Sequence, residues 1–80
     1  MDMHVATLDS LNVGEEGMVI SIEGGRTASK RLYEMGFNRG SQVQIVKNDV
    51  GPIIVSLSGS KIAIGWGLAN KIIVSTEGID

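Results

Sequence analysis

The feature that most restricts what this chain can fold into is a series of short stretches in which β-branched residues alternate with polar ones, each cut off by glycine. Ile53, Val55 and Leu57 share one side of an extended segment, while Ser56 and Ser58 take the other. Val43 and Ile45 alternate with Gln42 and Gln44, and Met18, Ile20 and Ile22 alternate with Val19, Ser21 and Glu23. Ile62, Ile64 and Trp66 repeat the spacing, and Ile72-Ile73-Val74 forms a shorter apolar run. A two-residue period puts successive side chains on opposite faces, so the pattern predicts five strands, each burying one face. Eleven glycines against one proline fit many tight turns between them.

The punctuation predicts the connections. Gly24-Gly25 ends the first strand. Gly59-Ser60, flanked by Ser58 and Lys61, suits a two-residue hairpin with glycine at positive φ. Asn48-Asp49-Val50-Gly51 suits a longer hairpin loop, and Pro52 stands at the start of the next strand, where a missing N–H does least harm. One segment changes period. Ala28, Leu32 and Met35 fall at i, i+4 and i+7, which predicts a helix from Thr27 to Met35. Thr27 or Ser29 would cap its start, Gly36 would take the left-handed position beyond its end, and Phe37 would pack back on Leu32. So short a helix persists only by docking its apolar face. Gly67-Leu68-Ala69-Asn70 predicts one further helical turn.

Residues 1–80 are therefore expected to form a single mostly-β domain, a small five-stranded SH3-like barrel. One short helix would lie between strands 1 and 2, and a single helical turn before strand 5. An OB-like barrel is the alternative, but its helix normally lies between the third and fourth strands, where this chain has only Ser58-Gly59-Ser60.

Composition narrows the function. Eighty residues provide one core, and 42% hydrophobic content argues against disorder. Without cysteine there is neither a disulfide nor a thiolate zinc site. Seven basic and nine acidic residues are scattered to a net charge of −2, so no basic run marks a nucleic-acid footprint. No apolar stretch approaches the ~20 residues of a membrane-spanning helix. Met1-Asp2-Met3-His4 lacks the cationic start and apolar run of a signal peptide, so a cytosolic location is expected.

Chemistry is equally sparse. His4 is the sole histidine, and only carboxylates and Met1 or Met3 could join it around a metal ion. Glu15 and Glu16 would point to opposite sides of an extended chain, so no dedicated metal site is expected. Ser58-Gly59-Ser60-Lys61 lacks the glycine spacing and strand-to-helix context of a phosphate loop. No serine or threonine has an evident histidine base, and no carboxylate has an evident apolar pocket to tune it. Neither catalysis nor a cofactor is expected.

What remains is a binding surface. Arg26, Lys30, Arg31 and Glu34 turn away from the Leu32 stripe and make a mixed-charge helix face, with Tyr33 among them. Trp66, the only tryptophan, lies between two glycines, and Arg39 follows the helix. Surface charge is usually just solvated, and a tryptophan is often core or rim packing. The functional reading makes these seven residues the partner-binding set, since aromatic and arginine side chains dominate interface energetics.

The ordered motifs resemble one family. Arg31-Leu32-Tyr33-Glu34-Met35-Gly36-Phe37, followed by Gly40-Ser41 and Val43, resembles the R-L-x-E-M-G-[LF]-x-x-G-x-x-V core of FeoA domains. Leu8, Leu11 and Gly14 resemble the family's entry pattern, in which leucines precede a glycine and the first strand, and Gly51-Pro52-Ile53 its G-[DP]-P-[IV] hairpin. Ile62-Ala63-Ile64, Ala69, Ile72 and Val74 resemble its closing pattern. The resemblance runs from about Leu8 to Val74 and implies a cytosolic accessory protein of ferrous iron transport. Its implied partner is the cytosolic GTPase domain of a FeoB-type membrane transporter. The same module occurs behind iron-dependent repressors of the DtxR type, which implies a metal-sensing alternative. A GTPase-activating partner offering Arg26, Arg31 or Arg39 as a finger is a further reading. Two departures stand out. Arg39 replaces a frequent proline before Gly40, and Gly65-Trp66-Gly67 stands where the family's fourth strand often ends in arginine.

Overall fold

The computed structural model of the chain describes residues 4–76. Their strands are β1 (Val5–Thr7), β2 (Glu16–Ile22), β3 (Gln42–Lys47), β4 (Ile53–Leu57), β5 (Ser60–Ile64) and β6 (Ile72–Ser75). Helix α1 (Arg26–Met35) joins β2 to β3, the single turn α2 (Trp66–Ala69) joins β5 to β6, and a 3-10 turn, Leu8–Ser10, follows β1. The six strands form one antiparallel sheet in the order β1-β6-β2-β3-β4-β5. β6 is thus hydrogen-bonded on both sides, to β1 and to β2.

The five expected strands are β2 to β6, and β1 is the addition. Three residues, Val5-Ala6-Thr7, are too few for a two-residue period to show, and their partner is distant in sequence, with Val5 opposite Ser75. β3 and β4 keep the expected faces, burying Val43 and Ile45, and Ile53, Val55 and Leu57.

β2 does not. Gly17 and Val19 face the core while Met18 is exposed, the reverse of the expected set. The ladder to β6 shifts between Val19 and Ser21, and beyond this bulge Ile22 packs on the core. A bulge inserts one residue, so apolar side chains on either side of it fall out of a strict period. Gly17 has a steric reason to be glycine. A Cβ there would stand 3.1 Å from Val74 Cβ and Cγ2 and 3.3 Å from the Ser75 carbonyl oxygen.

Two other boundaries move. The β4–β5 turn is Ser58-Gly59 rather than Gly59-Ser60, with φ of 52° and 91°. Positive φ at both central residues is the turn whose twist matches a hairpin. Helix α1 begins one residue early, with Gly25 at its N-cap and no side-chain cap bond, so Thr27 and Ser29 lie inside the first turn. The Ser29 N–H donates to the Gly25 carbonyl instead, at 3.0 Å.

The end of α1 matches the expectation. Gly36 is left-handed (φ 107°), its N–H donates to the Tyr33 carbonyl, and the Phe37 N–H donates to the Leu32 carbonyl, both at 3.0 Å. This pair of bonds satisfies helix-end carbonyls and reverses the chain. Leu32 and Phe37 are fully buried in one core cluster with residues of every strand from β2 to β6. The turn that follows is tied down as well. The Ser41 hydroxyl donates to the Gly36 carbonyl (3.1 Å), the Gly40 N–H to the Val19 carbonyl (2.8 Å), and the Val19 N–H to the Ser41 carbonyl (2.8 Å).

Two substitutions test this packing by urea denaturation. Leu32→Ala leaves a cavity at the helix–sheet junction and should cost about 2–5 kcal/mol. Gly17→Ala forces β2 and β6 apart and should cost about 1–3 kcal/mol. A wild-type midpoint for either variant would mean that the face assigned to it is wrong.

Candidate partner-binding face

Successive residues of a helix advance by about 100°, so side chains about 100° or more round from Leu32 turn toward solvent. Arg26, Lys30, Tyr33 and Glu34 meet that condition, and together with Ser29 they line one shallow depression on the outside of α1. Ser29 was not among the expected residues, although its spacing from Arg26 and Tyr33 on the helix would have included it. Tyr33 is 49% exposed, and the three charged side chains are exposed too.

Arg31 and Arg39 are also exposed, but they do not line the depression. Arg31 lies on the flank of the helix opposite Tyr33, and Arg39 lies in the turn between α1 and β3. Trp66 is placed elsewhere. It does not extend the face of Ile62 and Ile64 but opens α2, where Gly65 holds the N-cap. Its indole N–H donates to the Gly51 carbonyl at 2.7 Å, which fastens it to the β3–β4 hairpin and leaves the ring 40% exposed.

Four of the seven basic residues fall between positions 26 and 39, against one acidic residue, Glu34. Among the described residues the sole ion pair is Lys47–Asp49, at 3.1 Å in the β3–β4 hairpin. The cations of α1 therefore have no carboxylate partner within ion-pair distance among the described residues. The face carries a local excess of positive charge around an aromatic ring, on a chain whose net charge is −2.

Lys47 Nζ also donates to the Val50 carbonyl, at 2.9 Å, and the Val50 N–H donates to Asp49 Oδ1, at 2.7 Å. The hydrogen bond from Lys47, reinforced by that from Val50, holds the Asp49 carboxyl below its ordinary value of 3.8. A depressed folded-state pKa adds stability above the unfolded value, and that stability is lost as pH falls through the folded one. The hairpin should therefore loosen in an acid titration below about pH 3.8. The fluorescence of Trp66, bonded to the same hairpin, should report the step, and Asp49→Asn should remove it.

Metal ligands are sparse in this part of the molecule and beyond it. Among the described residues, no three of His, Cys, Asp or Glu come close enough together to hold an ion. Glu15 is engaged through Oε1, which accepts the Asn12 N–H, and His4 is exposed, its carbonyl accepting from Thr76. Met1 and Met3 lie outside the described residues. Calorimetric titration with ferrous or zinc ions should accordingly give weak, non-stoichiometric binding. A stoichiometric micromolar site abolished by His4→Ala would contradict this.

Comparison with known proteins agrees with the architecture. The FeoA domain model matches residues 6–76. A Methanocaldococcus jannaschii protein named as a candidate Fe(2+) transport protein A is 51% identical over 61 residues, which cover 76% of this chain and 74% of that protein. The crystal structure of an iron uptake regulatory protein, FeoA, is similar with a TM-score of 0.82 at 38% identity, over 89% of this chain and 95% of the other. The zinc-complexed FeoA of Stenotrophomonas maltophilia, described as an SH3 domain protein, has a TM-score of 0.74 at 28% identity, over 85% and 87% of the two chains. The fold is thus SH3-like rather than OB-like.

Proposed function

Since this chain belongs to the FeoA domain family, we propose that it is an accessory protein of ferrous iron transport that docks on the cytosolic GTPase domain of a FeoB-type transporter. The observation that carries this reading is the solvent-facing stripe of α1. Arg26, Lys30 and Tyr33 are exposed side by side there, and neither cation is ion-paired among the described residues. An unpaired charge at an exposed site adds little to the fold, because exposed pairs are themselves worth only about 0–1 kcal/mol. The same charges can steer a partner and orient it, while Tyr33 supplies rigid contact area.

Glu34 at the margin gives the face a second sign of charge and so a preferred orientation. Arg31 and Arg39 extend the cationic region along the helix flank and the following turn. Trp66 belongs to the interface only if the partner also reaches the β3–β4 hairpin. No helix among the described residues is long and apolar enough to cross a membrane, so membrane proximity would come through the partner. A surface this small fits a transient complex burying roughly 1,200 Å² or less.

Arg26→Glu combined with Lys30→Glu should weaken binding to the transporter's GTPase domain by tenfold or more and reduce iron uptake in parallel. Tyr33→Ala should do the same without altering the salt dependence, because its contribution is not charge. Charges of this kind act over about 8 Å at physiological ionic strength, so wild-type binding should also fall as salt rises. A folded double charge-reversal variant that binds and sustains uptake as wild type does would refute the assignment of this face. Arg31→Glu with Trp66→Ala tests the flanking residues in the same assay.

A further inference from the structure

The sheet has two edges, and they are not alike. β1 is three residues long, whereas β5 is a five-residue strand paired to β4 without any shift of register. The two-residue Ser58-Gly59 turn makes Leu57 and Ser60 a hydrogen-bonded pair, so Ser60, Ile62 and Ile64 spend their backbone groups on β4. The N–H and C=O of Lys61 and Ala63 must then point outward from the sheet. Among the described residues they have no hydrogen-bond partner, and both residues are exposed. Proteins commonly blunt such an edge with a bulge, a proline, a covering segment or charged side chains; among the described residues β5 has only the last of these, the single exposed Lys61.

We propose that the β5 edge is a self-association surface at which β5 of a second copy adds antiparallel, making one continuous twelve-stranded sheet. The register follows from the chemistry of the strand. Outward groups must face outward groups, so Lys61 pairs with Ala63 of the second copy and Ala63 with its Lys61, giving four backbone hydrogen bonds about a two-fold axis at Ile62. Lys61 then faces the small, neutral Ala63. A slip two residues toward the turn would set Lys61 against Lys61, a like-charge pair across the strands. A slip the other way would need the Gly65 carbonyl, which already accepts from the Leu68 and Ala69 N–H groups at 3.1 and 2.9 Å. Ile62 supports the same register. It is the inward residue of β5 that stays only partly buried, and in the dimer it would pack on its own symmetry mate. So short a ladder buries little area, so the dimer is weak and depends on concentration.

Sedimentation equilibrium of the intact chain, from about 10 µM to about 1 mM, should show the mean mass rising toward that of a dimer. Ala63→Pro removes an outward N–H and leaves every β4 bond in place, since proline is tolerated on the free side of an edge strand. That variant should keep a wild-type-like two-dimensional NMR spectrum and remain monomeric throughout. Charge gives a second test that does not depend on proline being accommodated. Ala63→Glu places a carboxylate opposite Lys61 twice and should tighten the dimer at least about twofold, whereas Ala63→Lys should loosen it. A wild-type monomer at about 1 mM would overturn the proposal. So would dimerisation of a folded Ala63→Pro variant, or equal affinities for the Glu and Lys variants.

Discussion

The reversal at Gly36 is the contact on which the rest of this molecule leans. A ten-residue helix has little stability alone, and α1 lacks a side-chain cap at its start. What holds it is the far end, where two backbone bonds close on a left-handed glycine and deliver Leu32 and Phe37 into the same core. A Cβ at Gly36 would also stand 3.2 Å from Leu57 Cδ2, so the site leaves little room for a larger residue, in addition to demanding positive φ. Once Leu32 is fixed inward, the helical period leaves Arg26, Lys30 and Tyr33 no direction but outward. The exposed face of α1 is in that sense a by-product of how the helix is buried.

How much of this could be read from the residues depended on whether each element obeyed one period. β4 alternates throughout and β3 does so up to Ile45, before its own register shift ahead of Lys47, so their buried residues are legible one by one. β2 carries a bulge, and its apolar residues Met18 and Ile20 misled because a bulge exchanges faces part-way along a strand. Gly17 was opaque for a related reason. Its importance lies in what Val74 occupies, and Val74 is far away in the sequence. β1 is too short to carry a pattern, and the spacing of Trp66 from Ile64 fits a strand although Gly65 redirects the chain into α2. The candidate face was legible in part. Helical spacing groups Arg26, Lys30, Arg31, Tyr33 and Glu34, but it could not show that Arg31 stands outside the depression or that Trp66 is bonded to Gly51 rather than standing beside α1.

The molecule presents its two largest exposed aromatic side chains in different settings. Tyr33 stands on a regular helix among cations that have no ion-pair partner among the described residues, a setting that favours steering and orientation. Trp66 has its polar atom satisfied and its ring partly free, close to the exposed Val50 of a hairpin whose charges neutralise each other. A partner using the first surface would be sensitive to salt, and one using the second largely would not. Charge and apolar contact are thus separated in space, so each can be altered while the other is left intact.

The position of β6 has a consequence for how the chain comes to be folded. The last strand among the described residues does not lie at a margin but is inserted between β1 and β2, with Ile72 and Val74 fully buried. During synthesis on the ribosome, residues up to Leu57 and beyond can form the β2–β3–β4–β5 meander, but β1 has nothing to pair with until residue 75 has emerged. The sheet is therefore completed in one late step that joins sequence-distant ends, the kind of closure that slows folding by its entropy cost. Loss of even the few residues of β6 would leave the open side of β2 unpaired and strip two buried side chains from the core, so the nascent chain has no shorter version of itself that can serve as a native intermediate of equal completeness.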